Sequence, residues 1–136
     1  MESNGLLNND TTKSEFSNKN YTKTILVIED DLSIQLLMRI LLERKGYNVI
    51  TKENWKKWFE EYKKQANIID LLILDHWLPD INSINVLKEI RKTNSEIYII
   101  MTSWKWSIKD FSWATDFLSK PFCINEFYDK INAIIS

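Results

Sequence analysis

Cysteines and long apolar runs are scarce in this sequence of 136 residues, and each scarcity excludes a class of protein. With Cys123 as its single cysteine, the chain cannot form an intrachain disulfide, so nothing points to an oxidising compartment. No apolar run approaches the roughly 20 residues of a membrane-spanning helix, and the polar N-terminus lacks the apolar stretch of a secretory signal. We therefore expect a cytoplasmic protein that does not insert into a membrane.

Net charge is nearly absent as well, because 18 basic residues stand against 19 acidic ones. This balance argues against broad electrostatic binding to nucleic acid or to an anionic membrane surface. Glycine and proline occur only twice each, whereas tryptophan occurs six times. The length corresponds to one domain, and a hydrophobic content of 44% is enough for one core.

Composition divides the chain into two parts. Residues 1–22 are rich in Asn, Ser, Thr and Lys, and such a segment cannot bury enough apolar surface to offset the loss of chain entropy on folding. We predict a disordered tail over residues 1–22 and one folded domain over residues 23–136.

Short apolar runs alternate with helical periods throughout the predicted domain. The runs of strand length are 25–28, 47–51, 71–74, 97–101 and 117–118. Amphipathic helical spacing follows the first three runs and the last one. Strands that alternate with helices predict a parallel sheet covered on both faces. The segment between Thr102 and Asp116 lacks a clean helical period, so the helix there is predicted to be short or irregular.

Polar residues stand at the carboxyl ends of four predicted strands. Glu29 and Asp30 end the first strand, Asp75 the third and Thr102 the fourth, while Lys120 follows the fifth. The carboxyl ends of parallel strands meet at one edge of a sheet, and open α/β sheets bind their ligands there. We therefore expect these five side chains to converge.

Three carboxylates, a hydroxyl and an ammonium group in one place suit phosphoryl chemistry. Clustered carboxylates repel one another unless a cation neutralises them, and Mg²⁺ prefers oxygen ligands. A carboxylate beside such an ion can act as a nucleophile and form an acyl phosphate. Taken singly, each residue has an ordinary explanation, such as an acidic helix N-terminus, a turn aspartate or a solvated lysine. Their joint occurrence at strand ends favours a functional site.

Four segments resemble the receiver domain of two-component response regulators. They are ILVIEDD (25–31), LLILDHWLPD (71–80), IIMTS (99–103) and DFLSKPF (116–122). The resemblance covers nearly all of residues 23–136 and implies a stand-alone receiver domain, which is a signalling switch and not an enzyme. It also implies a flavodoxin-like, doubly wound, five-stranded parallel sheet of order 2-1-3-4-5 with helices on both faces.

The resemblance implies a phosphoacceptor and a metal site. Asp75 resembles the aspartate that accepts the phosphoryl group. Asp30, Asp75 and the backbone carbonyl of Trp77 resemble the protein ligands of the cofactor Mg²⁺, and Glu29 resembles the metal-site acid that acts mostly through water.

Further roles are implied around the phosphoryl group. Thr102 and Lys120 resemble the residues that stabilise its oxygens, and the Lys120–Pro121 bond resembles the cis peptide of the family. Thr102 and Phe117 fall at the two switch positions. Trp77 and Trp104 fall at positions that flank the phosphoryl group, where two bulky rings are expected to shield the acyl phosphate from water.

The implied partners are proteins. A histidine kinase or a histidine phosphotransfer protein would supply the phosphoryl group, and a downstream protein target would read the phosphorylated surface. The chain stops soon after its last predicted helix, so we expect no direct DNA binding.

Three departures from the family pattern lie near the switching surface. Ser83 stands where glycine is usual, Trp113 stands near another glycine position, and the segment from Thr102 to Lys120 is short. The aromatic residues of that segment form either a compact core or an exposed binding surface; they are Trp104, Trp106, Phe111 and Trp113.

Two other functions compete with the phosphorylation switch. A pseudo-receiver would keep the fold as a protein-interaction module without being phosphorylated. A phosphatase with an aspartate nucleophile usually carries an acid two residues later, where this chain has Trp77. We interpret His76 as a bystander that points away from Asp75, and Cys123 as a small packing residue at the start of the last helix.

Overall fold

The computed structural model describes residues 22–65, 68–78, 82–104 and 113–135. Along the chain these residues form β1 (Thr24–Ile28), α1 (Leu32–Arg44), β2 (Asn48–Lys52), α2 (Trp55–Gln65), β3 (Ile69–Asp75), α3 (Ser83–Thr93), β4 (Tyr98–Trp104), β5 (Asp116–Lys120) and α4 (Ile124–Ile135). The predictions made for the tail, except at Thr22, and for a helix between β4 and β5 lie outside the described residues.

The five strands form one parallel sheet of order β2-β1-β3-β4-β5, which confirms the predicted fold class. β3 lies at the centre, and its last residue, Asp75, pairs in register with Thr102 of β4. The crossover connections place all carboxyl strand ends at the same edge of the sheet. The expected convergence therefore follows from topology.

Helices cover both faces because the central strands are apolar on both faces. On one face Ile25 and Val27 of β1 pack in a core with residues of α1 and α4. On the other face Leu26 and Ile28 pack in a second core with residues of α2 and α3. Within the part of the chain that the structure describes, every helix is too short or too polar to cross a lipid bilayer.

Capping residues in the sequence mark where the helices begin and end. Asp31 caps α1 and Asn82 caps α3, and Gly46 adopts a φ of 89° just after α1, where a side chain would be strained. Ser83 is the first residue of α3 and is helical. The serine at a glycine position therefore does not require a left-handed backbone here.

Three sequence interpretations need correction. Thr102 does not end its strand, because β4 continues to Trp104, and Lys120 is the last residue of β5 and does not follow it. Register pairing of Thr102 with Leu118 and of Trp104 with Lys120 extends both strands. Cys123 is exposed and does not pack in the core. It precedes the first turn of α4, where its Sγ accepts the Glu126 N–H at 3.4 Å.

Candidate functional site

A cavity of about 470 Å³ opens at the carboxyl edge of the sheet. Its lining includes Glu29 and Asp30 after β1, Asp75 at the end of β3 and Lys120 at the end of β5. Glu29, Asp75 and Lys120 expose only 1%, 2% and 4% of their surface, whereas Asp30 is exposed. Residues from three segments that are distant in sequence thus line one pocket, as the strand-end pattern predicted.

The three carboxylates are close enough to share one cation. One oxygen from each of Glu29, Asp30 and Asp75 lies within 4.8 Å of the others. An all-oxygen donor set with an exposed member suits Mg²⁺, which keeps several waters when it binds to proteins. The residues present therefore fit the ion that the sequence pattern suggested.

Lys120 places a buried ammonium group between two of these acids. Its Nζ lies 2.7 Å from Glu29 Oε1 and 3.3 Å from Asp75 Oδ1. A buried charge is strongly unfavourable unless it is paired. The three side chains therefore stabilise one another, and β1, β3 and β5 are joined through them.

One ammonium group does not neutralise the site. Burial raises the pKa of Glu29 to about 7, and repulsion from Asp75 adds to this effect against the opposing attraction of Lys120. Burial and contact with Asp75 also raise the pKa of Asp30. Burial alone would lower the pKa of Lys120, but its pairs with Glu29 and Asp75 outweigh burial and raise it. The site carries excess negative charge that a cation would relieve.

Comparison with known proteins identifies the family. The family model described as "Response regulator receiver domain" matches residues 25–132. The chain belongs to this family. Receiver domains are the signalling-switch part of two-component systems, and an aspartyl phosphoacceptor is general for them.

Two curated relatives of this receiver domain are named as transcriptional regulatory proteins. It is 33% identical over 118 residues to the alkaline phosphatase synthesis transcriptional regulatory protein PhoP of Bacillus subtilis (strain 168), covering 83% of this chain and 48% of PhoP. It is 31% identical over 116 residues to the uncharacterized transcriptional regulatory protein YkoG of the same strain, covering 82% of this chain and 50% of YkoG. The chain thus spans about half the length of these relatives.

Solved structures of receiver domains share its fold. The response regulator TrrA of Thermotoga maritima, in complex with Mg²⁺-BeF, is 29% identical with a TM-score of 0.76, over 84% of this chain and 100% of TrrA. The non-phosphorylated HemR receiver domain of Leptospira biflexa is 26% identical with a TM-score of 0.78, over 85% of this chain and 95% of that domain. The sheet order therefore agrees with the family.

Thr102 lies beside the acids of the receiver domain but beneath the surface. It is fully buried, and among the described residues its Oγ1 has no hydrogen-bond partner. Leaving a buried hydroxyl unpaired costs about 1–3 kcal/mol. Thr102 pairs in register with Asp75, so a residue with an unpaired hydroxyl neighbours this carboxylate.

Phe117, which the resemblance assigns to the second switch position, is exposed. Nζ of Lys130 lies 5.8 Å from its ring centroid. The ring therefore starts from a position that would allow the inward movement implied by the resemblance.

Trp77 and Trp104 line the same cavity as the acids. The backbone N–H of Trp77 donates to Asp75 Oδ1 at 3.2 Å, and the indole side chain is exposed. The ring centroid of Trp104 lies 5.9 Å from Nζ of Lys120. Trp104 and Trp113 are also exposed, which favours the binding-surface interpretation for these two residues, whereas Trp106 and Phe111 lie outside the described part of the chain.

His76 is not among the residues that line the acidic cavity. Its backbone N–H donates to the Thr102 carbonyl at 2.8 Å, and its ring stands edge-on to Trp77 with the centroids 4.9 Å apart. Burial lowers the pKa of His76 against the attraction of Asp75. The interpretation of His76 as a bystander stays a prediction.

The raised pKa of Glu29 predicts a pH-dependent stability in the absence of metal. Because the folded pKa of about 7 exceeds the ordinary value of 4.5, the folded protein binds more protons between these values. The contribution of Glu29 to the unfolding free energy is thus fully present below pH 4.5 and is lost as the pH rises toward 7. We expect the unfolding free energy of the wild type in EDTA to fall, relative to Glu29→Gln, as the pH rises from 5 to 8.

Urea unfolding of both proteins at each pH measures this difference, which Mg²⁺ should reduce. A difference that stays constant with pH, or grows in favour of the wild type, would contradict the electrostatic account of Glu29.

Proposed function

We propose that this receiver domain is a phosphorylation switch that accepts a phosphoryl group from a phosphohistidine onto Asp75. The observation that carries the proposal is the position of the Asp75 carboxylate, which lines the open cavity beside two acids and a buried lysine. The donor is a histidine kinase or a histidine phosphotransfer protein. The phosphorylated surface acts through contact with a downstream protein.

The metal ligands in this proposal are the carboxylates of Asp30 and Asp75, the backbone carbonyl of Trp77, and Glu29, which acts mostly through water. When bound, Mg²⁺ supplies positive charge to the phosphoryl oxygens and relieves the repulsion among the acids. The excess negative charge of the site supports this assignment.

Each remaining residue has a defined task in transfer. An Asp75 oxygen attacks phosphorus, so that an O–P bond forms while the N–P bond to the donor imidazole breaks. The Lys120 ammonium, already 3.3 Å from Asp75 Oδ1, pairs with a phosphoryl oxygen. The Thr102 hydroxyl donates to another oxygen, and Phe117 then moves inward. The surface change shifts the protein toward the state that its target binds.

The outer face of α1 is suited to hold the donor. Four large apolar side chains are exposed along this helix: Leu32, Leu36, Leu37 and Ile40. The same helix begins at the cavity, because Asp31 and Ile34 line it. A donor that brings phosphohistidine to Asp75 must contact the cavity rim, and the neighbouring apolar face would bury the rest of its surface. We therefore assign this face to the phosphodonor.

Phosphorylation in solution tests the proposal against the pseudo-receiver alternative. Incubation with acetyl phosphate and Mg²⁺ should add the mass of one phosphoryl group, and peptide mapping after borohydride reduction should locate it at Asp75. A protein that gains no phosphoryl group from acetyl phosphate or from phosphohistidine donors would instead be an interaction module.

We expect Trp104→Ala to shorten the lifetime of the phosphorylated state several-fold. The ring lies over Lys120 and lines the cavity, so it limits the access of water to the acyl phosphate. The decay of phosphorylated protein after removal of donor measures this lifetime. Trp113→Ala is the control, because Trp113 is exposed but does not line the cavity. A short wild-type lifetime that Trp104→Ala leaves unchanged would reject the shielding role.

A further inference from the structure

The peptide that carries two of the proposed metal ligands is tied to the first turns of α1. Gln35 Nε2 donates to the backbone carbonyl of Glu29 at 2.9 Å. The Asp31 N–H donates to Glu29 Oε2 at 3.1 Å. One bond therefore fixes the backbone of Glu29, and the other fixes its carboxylate.

Asp31 connects these two bonds through the start of the helix. Its Oδ1 accepts the N–H groups of Ser33 and Ile34 at 2.9 and 3.2 Å. Its carbonyl accepts the Gln35 N–H at 2.9 Å. These hydrogen bonds connect the turn at residues 29–31 to the first turn of α1. The side chain of Gln35 completes the connection by its bond to the Glu29 carbonyl.

Other elements hold Glu29 at different atoms. Its N–H donates to the Lys52 carbonyl of β2 at 3.0 Å, and its Oε1 lies 2.7 Å from Lys120 Nζ. Neither contact involves the Glu29 carbonyl, whose peptide group leads directly into Asp30. The orientation of the Glu29–Asp30 peptide therefore depends on Gln35 in a way that the other contacts do not replace.

We infer that Gln35 is a positioning residue for the metal site, an inference that rests on the proposed function. Mg²⁺ and ions of similar size require nearly ideal octahedral geometry. A small rotation of the Glu29–Asp30 peptide moves the Asp30 carboxylate relative to Asp75. Groups that orient metal ligands through hydrogen bonds commonly change metal affinity by about 10–100-fold when they are removed.

Gln35→Met tests the inference, because methionine keeps the length of the side chain and removes its N–H donor. Mn²⁺ serves as the probe, and loss of the electron paramagnetic resonance signal of the free ion measures binding directly. We expect the dissociation constant for Mn²⁺ to rise about 10-fold in this variant.

Arg39→Met provides a matched control on the same helix. Arg39 ties α1 to β2 through Thr51 Oγ1 at 3.0 Å and the Val49 carbonyl at 3.5 Å, without a bond to the acidic turn. We expect it to bind Mn²⁺ as the wild type does, even if its unfolding free energy falls. The unfolding free energy of each variant is measured alongside.

The outcomes separate the two claims. If the wild type and Gln35→Met bind Mn²⁺ equally well, the positioning role is wrong and the proposed function stands. If Arg39→Met weakens binding as much as Gln35→Met does, a general loosening of α1 explains the effect and the inference fails. If the wild type binds no Mn²⁺ at millimolar concentration, both the proposed function and the inference fail.

Discussion

Replacing Asp75 by asparagine should reduce phosphorylation by acetyl phosphate to background. The amide is nearly isosteric with the carboxylate but is a poor nucleophile, so no acyl phosphate forms. It also removes one of the three negative charges that the proposed cation would share. Intact mass measured after incubation with Mg²⁺ and acetyl phosphate reports the result directly.

Asp70→Asn is the matched control for this experiment. Asp70 lies on the same strand but toward the opposite edge of the sheet, where its Oδ2 accepts the Thr24 N–H at 2.8 Å. Asparagine retains an acceptor oxygen, so we expect wild-type phosphorylation. Phosphorylation that persists in Asp75→Asn, or disappears in Asp70→Asn, would place the acceptor elsewhere.

Replacing Lys120 by methionine should destabilise the metal-free protein by about 3–5 kcal/mol, the usual effect of removing one partner of a buried ion pair. Glu29 and Asp75 would remain buried without the ammonium that now lies 2.7 and 3.3 Å away. Mg²⁺ should recover part of the loss, because the cation then supplies the missing positive charge. Urea unfolding at pH 8, in EDTA and in Mg²⁺, measures both effects.

Lys130→Met is the control for charge removal on a lysine. Its pair with Asp116, at 3.2 Å, is partly exposed, and such surface pairs contribute about 1 kcal/mol or less. If Lys120→Met were as mild as Lys130→Met, or if Mg²⁺ gave Lys120→Met no more stability than it gives the wild type, the buried charge cluster would be the wrong description of the site.

The order of strands and helices could be predicted because a strand that is buried on both faces of a sheet has a continuous run of apolar residues. The runs at 25–28 and 71–74 are continuously apolar, and the structure places them in β1 and β3, two of the three interior strands. The ends of β4 and β5 could not be predicted in the same way. Thr102, Ser103 and Lys120 are polar, so the sequence does not mark them as strand residues. Only the pairing of β4 with β5 in the structure shows that they are buried and belong to these strands.

The sequence was sufficient to predict which residues come together at the site. Chain order and parallel topology bring Glu29, Asp30, Asp75 and Lys120 to one edge, and the structure places them in one cavity. The sequence did not show that Lys120 is buried between two acids, because a lysine before proline is usually solvated. The sequence also did not single out Gln35, because in the helical pattern it is one more polar residue. Asp31 does mark the start of the helix that carries Gln35.

The exposed cysteine shows a related limit. A lone cysteine is more often buried than exposed, so packing was the natural expectation for Cys123. Its place just before α4 instead gives it the role of an acceptor for the Glu126 N–H. Local hydrogen-bonding needs at a helix start outweighed the general burial preference of the residue type.

A crystal grown with Mn²⁺ and examined by anomalous scattering shows whether the acids at the carboxyl edge of the sheet share a divalent cation. We expect one strong anomalous peak in the cavity, about 2.1 Å from carboxylate oxygens of Asp30 and Asp75 and from the carbonyl oxygen of Trp77. A cavity without a peak at saturating Mn²⁺, or a peak that touches none of these oxygens, would contradict the proposed metal site.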